Sequence, residues 1–189
     1  GDGGDVLAVV VDSRERDDIP PFGHVVDYLT YGGIYREAWL EETGAVFAEN
    51  AQVKTVRTGG GWRVEADVYL DNAEGAPREA ALRLTLAGAA GAVAGIEQAV
   101  ALTGEPRQKV SASFDAGNVA LWSLAEPNLY SLKLELLSGG NVLDEHVVRF
   151  GFREARFTPE GFYLNGELVK LRGLNRHQSF PYVGNAMPR

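Results

Sequence analysis

Apolar residues recur at every second position in three stretches in the middle of the chain, at residues 62–70, 80–86 and 130–136, with mostly polar residues between them. A period of two places successive side chains on opposite faces, so each stretch predicts a β-strand with one buried face. The positions expected to point into a core are Trp62, Val64, Ala66, Val68, Leu70, Ala80, Leu82, Leu84, Leu86, Tyr130, Leu132, Leu134 and Leu136.

The rest of the chain is also rich in strand patterns and has no long helical periodicity. Gly-rich or polar turns separate the patterns, and strands at this spacing predict an all-β fold, an antiparallel sandwich of the immunoglobulin-like type. The Ala- and Gly-rich tract at residues 87–95 is expected to form an exposed loop. Further strands are expected at residues 6–12, 34–41, 46–56, 96–102, 108–114 and 142–150.

Three regions follow from these patterns. Residues 1–42 hold too few strands to close a core, so we expect them to complete a preceding domain. Residues 43–153 are long enough for one complete sandwich. Residues 154–189 contain short strand patterns around Asn165-Gly166, a pair that suits a two-residue type I′ hairpin with positive φ at both positions. The chain does not begin with Met, and we expect it to be an internal piece of a longer protein.

Composition excludes several classes of function. The 26 acidic and 18 basic residues give a formal charge of -8, which argues against a nucleic-acid surface, because such surfaces need clustered Lys and Arg. The chain has no Cys, so we expect no disulfide, thiolate metal site or Cys nucleophile. The apolar run at residues 6–11 is too short to cross a membrane or to serve as a signal peptide. The compartment stays open, with the cytoplasm favoured over secretion.

Three separated segments resemble the glycoside hydrolase family 2 enzymes of the β-galactosidase type, in the order that this family uses them. Residues 31–40 (YGGIYREAWL) resemble the close of the family's jelly-roll sugar-binding domain, and residues 121–130 (LWSLAEPNLY) its LWSPxxPxLY segment in the immunoglobulin-like domain. The third segment is similar to the entry into the catalytic TIM barrel, with FGFR at 150–153, FYLNG at 162–166 and LRGLNRHQ at 171–178. Leu124 stands where the family usually has Pro.

This resemblance implies a role for each region. Residues 1–42 would end the jelly-roll, 43–153 would form the sandwich, and 154–189 would lead into the first TIM-barrel strand, near residues 170–174. The intact enzyme would hydrolyse terminal β-galactosides with retention, using two Glu residues that lie downstream of this chain. No catalytic residue is therefore expected here, and the chain alone is expected to be inactive. Its adjacent acids, at 17–18, 41–42 and 144–145, are expected to be solvated charges.

Asn175, Arg176 and His177 are the predicted substrate-binding residues of the intact enzyme. At the C-terminal end of the first barrel strand they would face the active site. An amide and an imidazole there can hydrogen-bond sugar hydroxyls, and those bonds can tighten in the transition state. For Arg176 two roles stay open, since it would either orient a carboxylate from another barrel strand or only hold the strand end.

Other residue types predict no further site. His24 and His146 have no partners at metal-ligand spacing, so no metal site and no cofactor is predicted in this chain, and those of the intact enzyme are unknown. Trp39, Trp62 and Trp122 are expected to pack in a core rather than to stack on sugars.

Two alternatives to a β-galactosidase stay open. Within the family, a β-glucuronidase or a β-mannosidase is the first, although NRHQ at 175–178 favours a β-galactosidase. A non-enzymatic carbohydrate-binding immunoglobulin-like module is the second, because this fold hosts many functions. Such a module has no use for residues 157–189. The expected partner is a carbohydrate, without nucleic acid or membrane, and a homo-oligomer stays open.

Overall fold

The computed structural model describes residue 4 and residues 6–20, 22–24, 32–175 and 179–186. It divides into one compact unit, Glu42–Leu171, and a second unit that joins the residues up to Glu41 with those from Arg172 onward. Within the described ranges, no helix is long and apolar enough to cross a membrane. The domain bounds expected at residues 42 and 153 stay predictions.

Seven strands of the first unit form a sandwich of two antiparallel sheets. They are β1 (Val46–Thr58), β2 (Gly61–Asn72), β3 (Arg78–Gly88), β4 (Gly91–Leu102), β5 (Gln108–Gly117), β6 (Tyr130–Ser138) and β7 (Asn141–Phe150). One sheet has the order β1-β2-β5, and the other has the order β4-β3-β6-β7. This arrangement confirms the predicted immunoglobulin-like fold class.

The core lies between the two sheets and contains the alternating apolar residues of the sequence pattern. Leu82, Leu84 and Leu134 of the four-stranded sheet have no exposed surface, and neither have Val64 and Val68 of the three-stranded sheet. Full burial of one such side chain stabilises the fold by about 1.5–3 kcal/mol. The period of two along the chain therefore decides which side of each sheet is dry.

Phe152, just after β7, closes one end of this core and is fully buried. Its ring meets three other rings edge-on, with centroid distances of 5.0 Å to Tyr130, 5.2 Å to Phe150 and 5.8 Å to Trp62. Tyr130 itself is half-buried, and its hydroxyl accepts a hydrogen bond from the Ala120 N–H at 2.9 Å. This bond resembles the tyrosine corner of immunoglobulin-like domains, in which a Tyr near the start of a strand ties down the preceding loop.

The Ala- and Gly-rich tract at residues 87–95 forms paired strand ends, so the loop prediction is wrong. β3 and β4 continue up to a two-residue turn at 89–90. A Cβ on Gly95 would lie 2.5 Å from the carbonyl oxygen of Leu84. The missing side chain thus permits the close approach of the two strands.

Strand predictions at residues 6–12 and 34–41 are also wrong. Neither segment forms a strand or pairs with one among the described residues. An unpaired strand leaves its backbone groups to water and buries no face. The core position expected for Trp39 is wrong for the same reason, since this residue is 79% exposed.

A small three-stranded sheet, the lead-in sheet, follows the sandwich within the same unit. Its strands are β8 (Ala155–Thr158), β9 (Gly161–Leu164) and β10 (Glu167–Val169), in the order β10-β9-β8. Asn165 and Gly166 connect β9 to β10 with φ angles of 52° and 87°. These values confirm the prediction of a type I′ hairpin.

Paired charges cross the outer face of the four-stranded sheet. Arg83 on β3 lies 2.8 Å from Glu97 on β4 and 3.6 Å from Glu135 on β6. Lys133 Nζ lies 3.0 Å from Glu135 and 2.8 Å from Glu145 on β7. The contacts join all four strands, and Glu135 has the least exposed side chain of the five, at 14%.

These ion pairs shift the pKa values of their members. The hydrogen bond from Lys133, supported by the charge of Arg83, holds the pKa of Glu135 below its usual value. The carboxylates of Glu145 and Glu135 raise the pKa of Lys133. A carboxyl pKa that is lower in the folded state adds stability above the unfolded pKa, and this stability is lost as the pH falls through the folded pKa.

Replacing Phe152 with Ala should lower the free energy of unfolding by about 3–5 kcal/mol, because it leaves a cavity where three other rings meet. Phe157→Ala is the matched control, since Phe157 is 76% exposed, and its loss should cost less than about 1 kcal/mol. Denaturant unfolding followed by tryptophan fluorescence measures both variants. Equal losses would contradict the anchoring role of Phe152.

Glu135→Gln should lower stability at neutral pH, because Lys133 and Arg83 lose a charged partner. The difference from the unmodified chain should shrink as the pH falls below the ordinary carboxyl value of 4.5, where Glu135 itself becomes protonated. Denaturant midpoints over a pH series measure the effect. Glu167→Gln on the exposed surface of β10 is the control and should produce no such pH-dependent gap. A stability difference between Glu135→Gln and the unmodified chain that stays constant down to low pH would contradict the ion pairing of Glu135 with Lys133 and Arg83.

Candidate functional site

The structure describes only one of the three predicted substrate-binding residues. Asn175 is exposed, whereas Arg176 and His177 lie outside the described residues. Residues 170–174 pair with no described strand, so the expected first barrel strand is not formed. A barrel strand is defined by its neighbours on both sides. The roles of the three residues in sugar binding stay predictions.

Two carboxylates that the sequence did not bring together lie side by side on the sandwich. The register of β6 and β7 places Glu135 directly opposite Glu145. Directly opposite residues have Cβ atoms about 4.5–5.5 Å apart, similar to the carboxyl separation of about 5–5.5 Å in retaining glycosidases. The spacing alone would therefore make the two residues a candidate catalytic dyad.

The surroundings of this pair argue against catalysis. A general acid needs a raised pKa near the working pH, but Lys133 lowers the pKa of Glu135. The ammonium of Lys133 bridges both carboxylates, so neither is available to attack a sugar carbon. The pair also lies on the outer face of a sheet. We therefore assign Glu135 and Glu145 to the stability of the sheet.

The adjacent acids singled out in the sequence are bound to the protein or exposed. Asp144 accepts a hydrogen bond from the Ala48 N–H at 2.7 Å and so connects β7 to β1. Asp18 pairs with Arg16 at 2.8 Å, and this contact lowers the pKa of Asp18. Residues 41–42 are exposed. These environments match solvated or structural charges rather than a catalytic pair.

The described residues include His, Asp and Glu side chains of the types that bind metals and Trp rings of the type that stacks on sugars. They contain no group of three or more His, Asp or Glu residues that could hold a metal ion. Trp62 is buried in the core, as predicted. Trp122 is half-buried, and the guanidinium of Arg153 covers its ring at 4.9 Å from the centroid. Trp122 therefore presents a face that a cation already occupies.

The junction between the sandwich and the lead-in sheet is held by the side-chain amide of Asn165. Its Nδ2 donates to the Trp122 carbonyl at 3.0 Å, and its Oδ1 accepts from the Glu154 N–H at 3.0 Å. The backbone N–H of Asn165 also donates to the Glu154 carbonyl at 2.8 Å. We call these three bonds the Asn165 clamp. An amide is suited to this place because it carries both a donor and an acceptor.

Residues 150–154 support the clamp from the sandwich side. The Trp122 N–H donates to the Phe152 carbonyl at 2.8 Å. Gly151 packs directly against this segment, since a Cβ at this position would lie 2.7 Å from Trp122 Cβ and 3.0 Å from the Asn128 carbonyl oxygen. The family-like segment 121–130 therefore meets two parts of the third segment, 150–153 and 162–166, at one small junction.

Sequence reasoning recognised Asn165 as a turn residue and missed the clamp. The partners of its side chain lie 11 and 43 residues away along the chain, beyond the range of a turn pattern. The only signal was the residue type, because Asp-Gly would form the same type I′ turn. Asn, unlike Asp, also brings an N–H donor.

Comparison with known proteins adds a family to this geometry. The model of the family described as glycosyl hydrolases family 2 matches residues 46–153, which cover the sandwich and the start of the junction. A curated protein named beta-galactosidase from Thermoanaerobacterium thermosulfurigenes is 41% identical over 97% of this chain and 26% of its own length. Another protein of that name, from Rhizobium meliloti, is 38% identical over 100% of this chain and 24% of its own length.

Solved structures give the same result. A putative beta-galactosidase from Bacteroides fragilis aligns with a TM-score of 0.85 and 27% identity, over 94% of this chain and 28% of that protein. A Bacteroides uniformis beta-glucuronidase aligns with a TM-score of 0.83 and 25% identity, over 94% of this chain and 22% of that protein. The chain spans about a quarter of the length of these relatives. Because the family model covers more than half of its residues, the chain belongs to family 2 of the glycosyl hydrolases.

Proposed function

We propose that the intact protein hydrolyses terminal β-galactosides with retention and that this chain provides its sandwich scaffold. The observation that carries the proposal is the near-complete match of the chain to curated proteins named beta-galactosidase. The chain covers only about a quarter of those proteins, so the catalytic carboxylates belong to the part that it does not span. In this chain the two carboxylates that lie opposite each other, Glu135 and Glu145, are both held in ion pairs with Lys133.

The scaffold role is supported by the geometry of the junction. The sandwich has a continuous apolar core, and the Asn165 clamp fixes the direction in which the lead-in sheet leaves it. A scaffold of this kind positions the following catalytic part without contacting the reacting atoms. Asn175, Arg176 and His177 would be the first residues to reach the sugar, as amide, guanidinium and imidazole donors.

A β-glucuronidase is the second candidate function. The Bacteroides uniformis beta-glucuronidase has nearly the same fold over nearly the whole chain. A glucuronide differs from a galactoside in carrying a carboxylate, so the enzyme would need a cation in its sugar pocket. Arg176 would be a candidate for that cation.

The activity of the intact protein tests the proposal. The protein encoded by the gene extended in frame past Arg189 should hydrolyse a chromogenic β-galactoside with a kcat/KM at least about 100-fold higher than for the matching β-glucuronide. The reason is that a sugar pocket built to bind hydroxyl groups would leave the carboxylate of a glucuronide buried and unpaired. The 189-residue chain should be inactive with both substrates. Preference for the glucuronide would favour the second candidate, and activity of the short chain would overturn the scaffold role.

His177→Ala in the extended protein should lower kcat/KM by about 100-fold, the usual order for losing one hydrogen-bond donor to the transition state. His146→Ala is the matched control, because His146 lies half-buried on β7 of the sandwich. Its removal should leave kcat/KM within about threefold of the parent value. If both variants kept full activity, His177 would have no role in the sugar pocket.

Self-association of the 189-residue chain is a further expectation. The lead-in sheet exposes Phe157 and Leu168 by 76% and 61%, and Leu171 just after it is 64% exposed. The outer edges of β8 and β10 pair with no other strand among the described residues. Exposed apolar surface beside open strand edges favours association. Sedimentation at rising concentration should reveal oligomers. Leu168→Ser should reduce them, whereas Leu124→Ser, in an exposed loop, should not. A chain that sediments as a monomer at every concentration would contradict this expectation.

A further inference from the structure

The clamp residue Asn165 lies in the sequence context most prone to spontaneous chemistry. It is the only Asn of the chain that is followed by Gly. Glycine has no Cβ, so its backbone nitrogen meets little steric resistance when it approaches the side chain before it. Asparagine is also among the thermally labile residue types. The same pair that forms the type I′ turn is thus chemically reactive.

The reaction needs only water. The backbone nitrogen of Gly166 attacks Cγ of Asn165, a new N–Cγ bond forms, the Cγ–Nδ2 bond breaks, and ammonia leaves. The five-membered succinimide is then opened by water at either carbonyl, which produces aspartate or isoaspartate at position 165. One ammonia is lost and one water is gained, so no oxidant or reductant takes part.

The folded structure opposes the first step. Both heavy atoms of the Asn165 amide are bound, Nδ2 to the Trp122 carbonyl and Oδ1 to the Glu154 N–H. The side chain is partly buried against these groups, and a third bond holds its backbone N–H on Glu154. Ring closure must pull Cγ towards Gly166 and release both amide contacts. The reactive geometry is therefore reached when the junction opens.

The product is unable to restore the junction. A carboxylate at position 165 has no N–H to donate, so it places a negative charge beside the Trp122 carbonyl oxygen. Isoaspartate also adds a methylene group to the main chain inside a two-residue turn. That changes the register in which Leu164 pairs with Glu167. Each product loses the Nδ2 donor to the Trp122 carbonyl, which is the clamp bond between the lead-in sheet and the sandwich, while aspartate keeps an acceptor for the Glu154 N–H.

We propose that Asn165-Gly166 is a self-modification site whose deamidation is gated by the clamp and, once complete, irreversibly releases the lead-in sheet from the sandwich. The closed clamp protects the amide, and each opening exposes it. The site therefore records how often the junction has opened. This inference rests on the structure of the chain and is independent of the sugar that the intact enzyme hydrolyses.

Peptide mapping by mass spectrometry tests the gating. The 189-residue chain is incubated in mildly alkaline buffer, native and fully unfolded in urea, and conversion at position 165 is followed over time. The native chain should deamidate at least about tenfold more slowly, because only the open fraction reacts. Equal rates would overturn the gating, and no conversion in the unfolded chain would overturn the site itself.

Three glycine variants test the clamp and the reactive pair separately. Gly151→Ala should speed conversion in the native chain, since its Cβ would press on Trp122 and Asn128. Gly44→Ala is the matched control, because its Cβ would meet only ordinary contacts at 3.7 and 3.8 Å. Gly166→Asn should slow conversion in the unfolded chain while keeping a residue that tolerates positive φ. A native rate that Gly151→Ala leaves unchanged would count against the clamp as the gate.

The released state is tested with Asn165→Asp. Hydrogen exchange should rise in β8, β9 and β10 while the core strands β2, β3 and β6 keep their protection, since the substitution leaves the sandwich core intact. Unchanged protection of the lead-in sheet would overturn the release. Loss of protection throughout the sandwich would overturn the claim that the effect is confined to the junction.

Discussion

The burial of Phe152 fixes the backbone on which the junction between the sandwich and the lead-in sheet depends. Its side chain fills the end of the core among three aromatic rings, while its carbonyl receives the Trp122 N–H. The residues on either side are then held in place: Gly151 lies against Trp122, and Arg153 covers the same ring. Glu154 comes next and offers its N–H and carbonyl to Asn165. Apolar packing inside the sandwich thus decides where a polar turn outside it is bound.

Different interactions stabilise the two faces of the four-stranded sheet. The inner face is a dry layer of Leu and Ala residues, whereas the outer face carries alternating charges that neutralise one another across the strands. Exposed ion pairs of this kind contribute little stability individually. Glu135 should contribute more than the other members, because its side chain is mostly shielded from solvent and has two cationic partners. Ion pairs that join all four strands of this sheet fit a part that positions other domains.

Prediction from the sequence succeeded where one local rule decides the outcome. The period of two located the core residues of β2, β3 and β6, and the Asn-Gly pair located the type I′ turn. Prediction failed where strand formation depends on whether another segment of the folded chain is available to pair. Residues 34–41 have a strand pattern, but no strand among the described residues pairs with them, whereas the tract at 87–95 has a weak strand pattern and a partner strand close in sequence.

Two contacts, the one between Glu135 and Glu145 and the one made by Asn165, illustrate the same limit more sharply. A continuous register from the β6–β7 turn would oppose Glu135 to Asp144, and a register shift near Leu136 puts Glu145 there instead. The side-chain bonds of Asn165 depend on residues 11 and 43 positions away. Neither feature has a local signature. Both required the folded chain, in which segments that are separate in the sequence become neighbours.

The bonding partners of Asn165 are all main-chain atoms. Every residue type except Pro provides the same main-chain carbonyl and N–H groups, so the hydrogen bonds of the clamp do not depend on which side chains stand at positions 122 and 154. The side chain at 122 is instead constrained by Gly151 and Arg153, which pack against it. The clamp thus requires one particular side chain, the amide at 165, and otherwise only a backbone path, so a substitution at 154 that preserves that path leaves all three bonds in place.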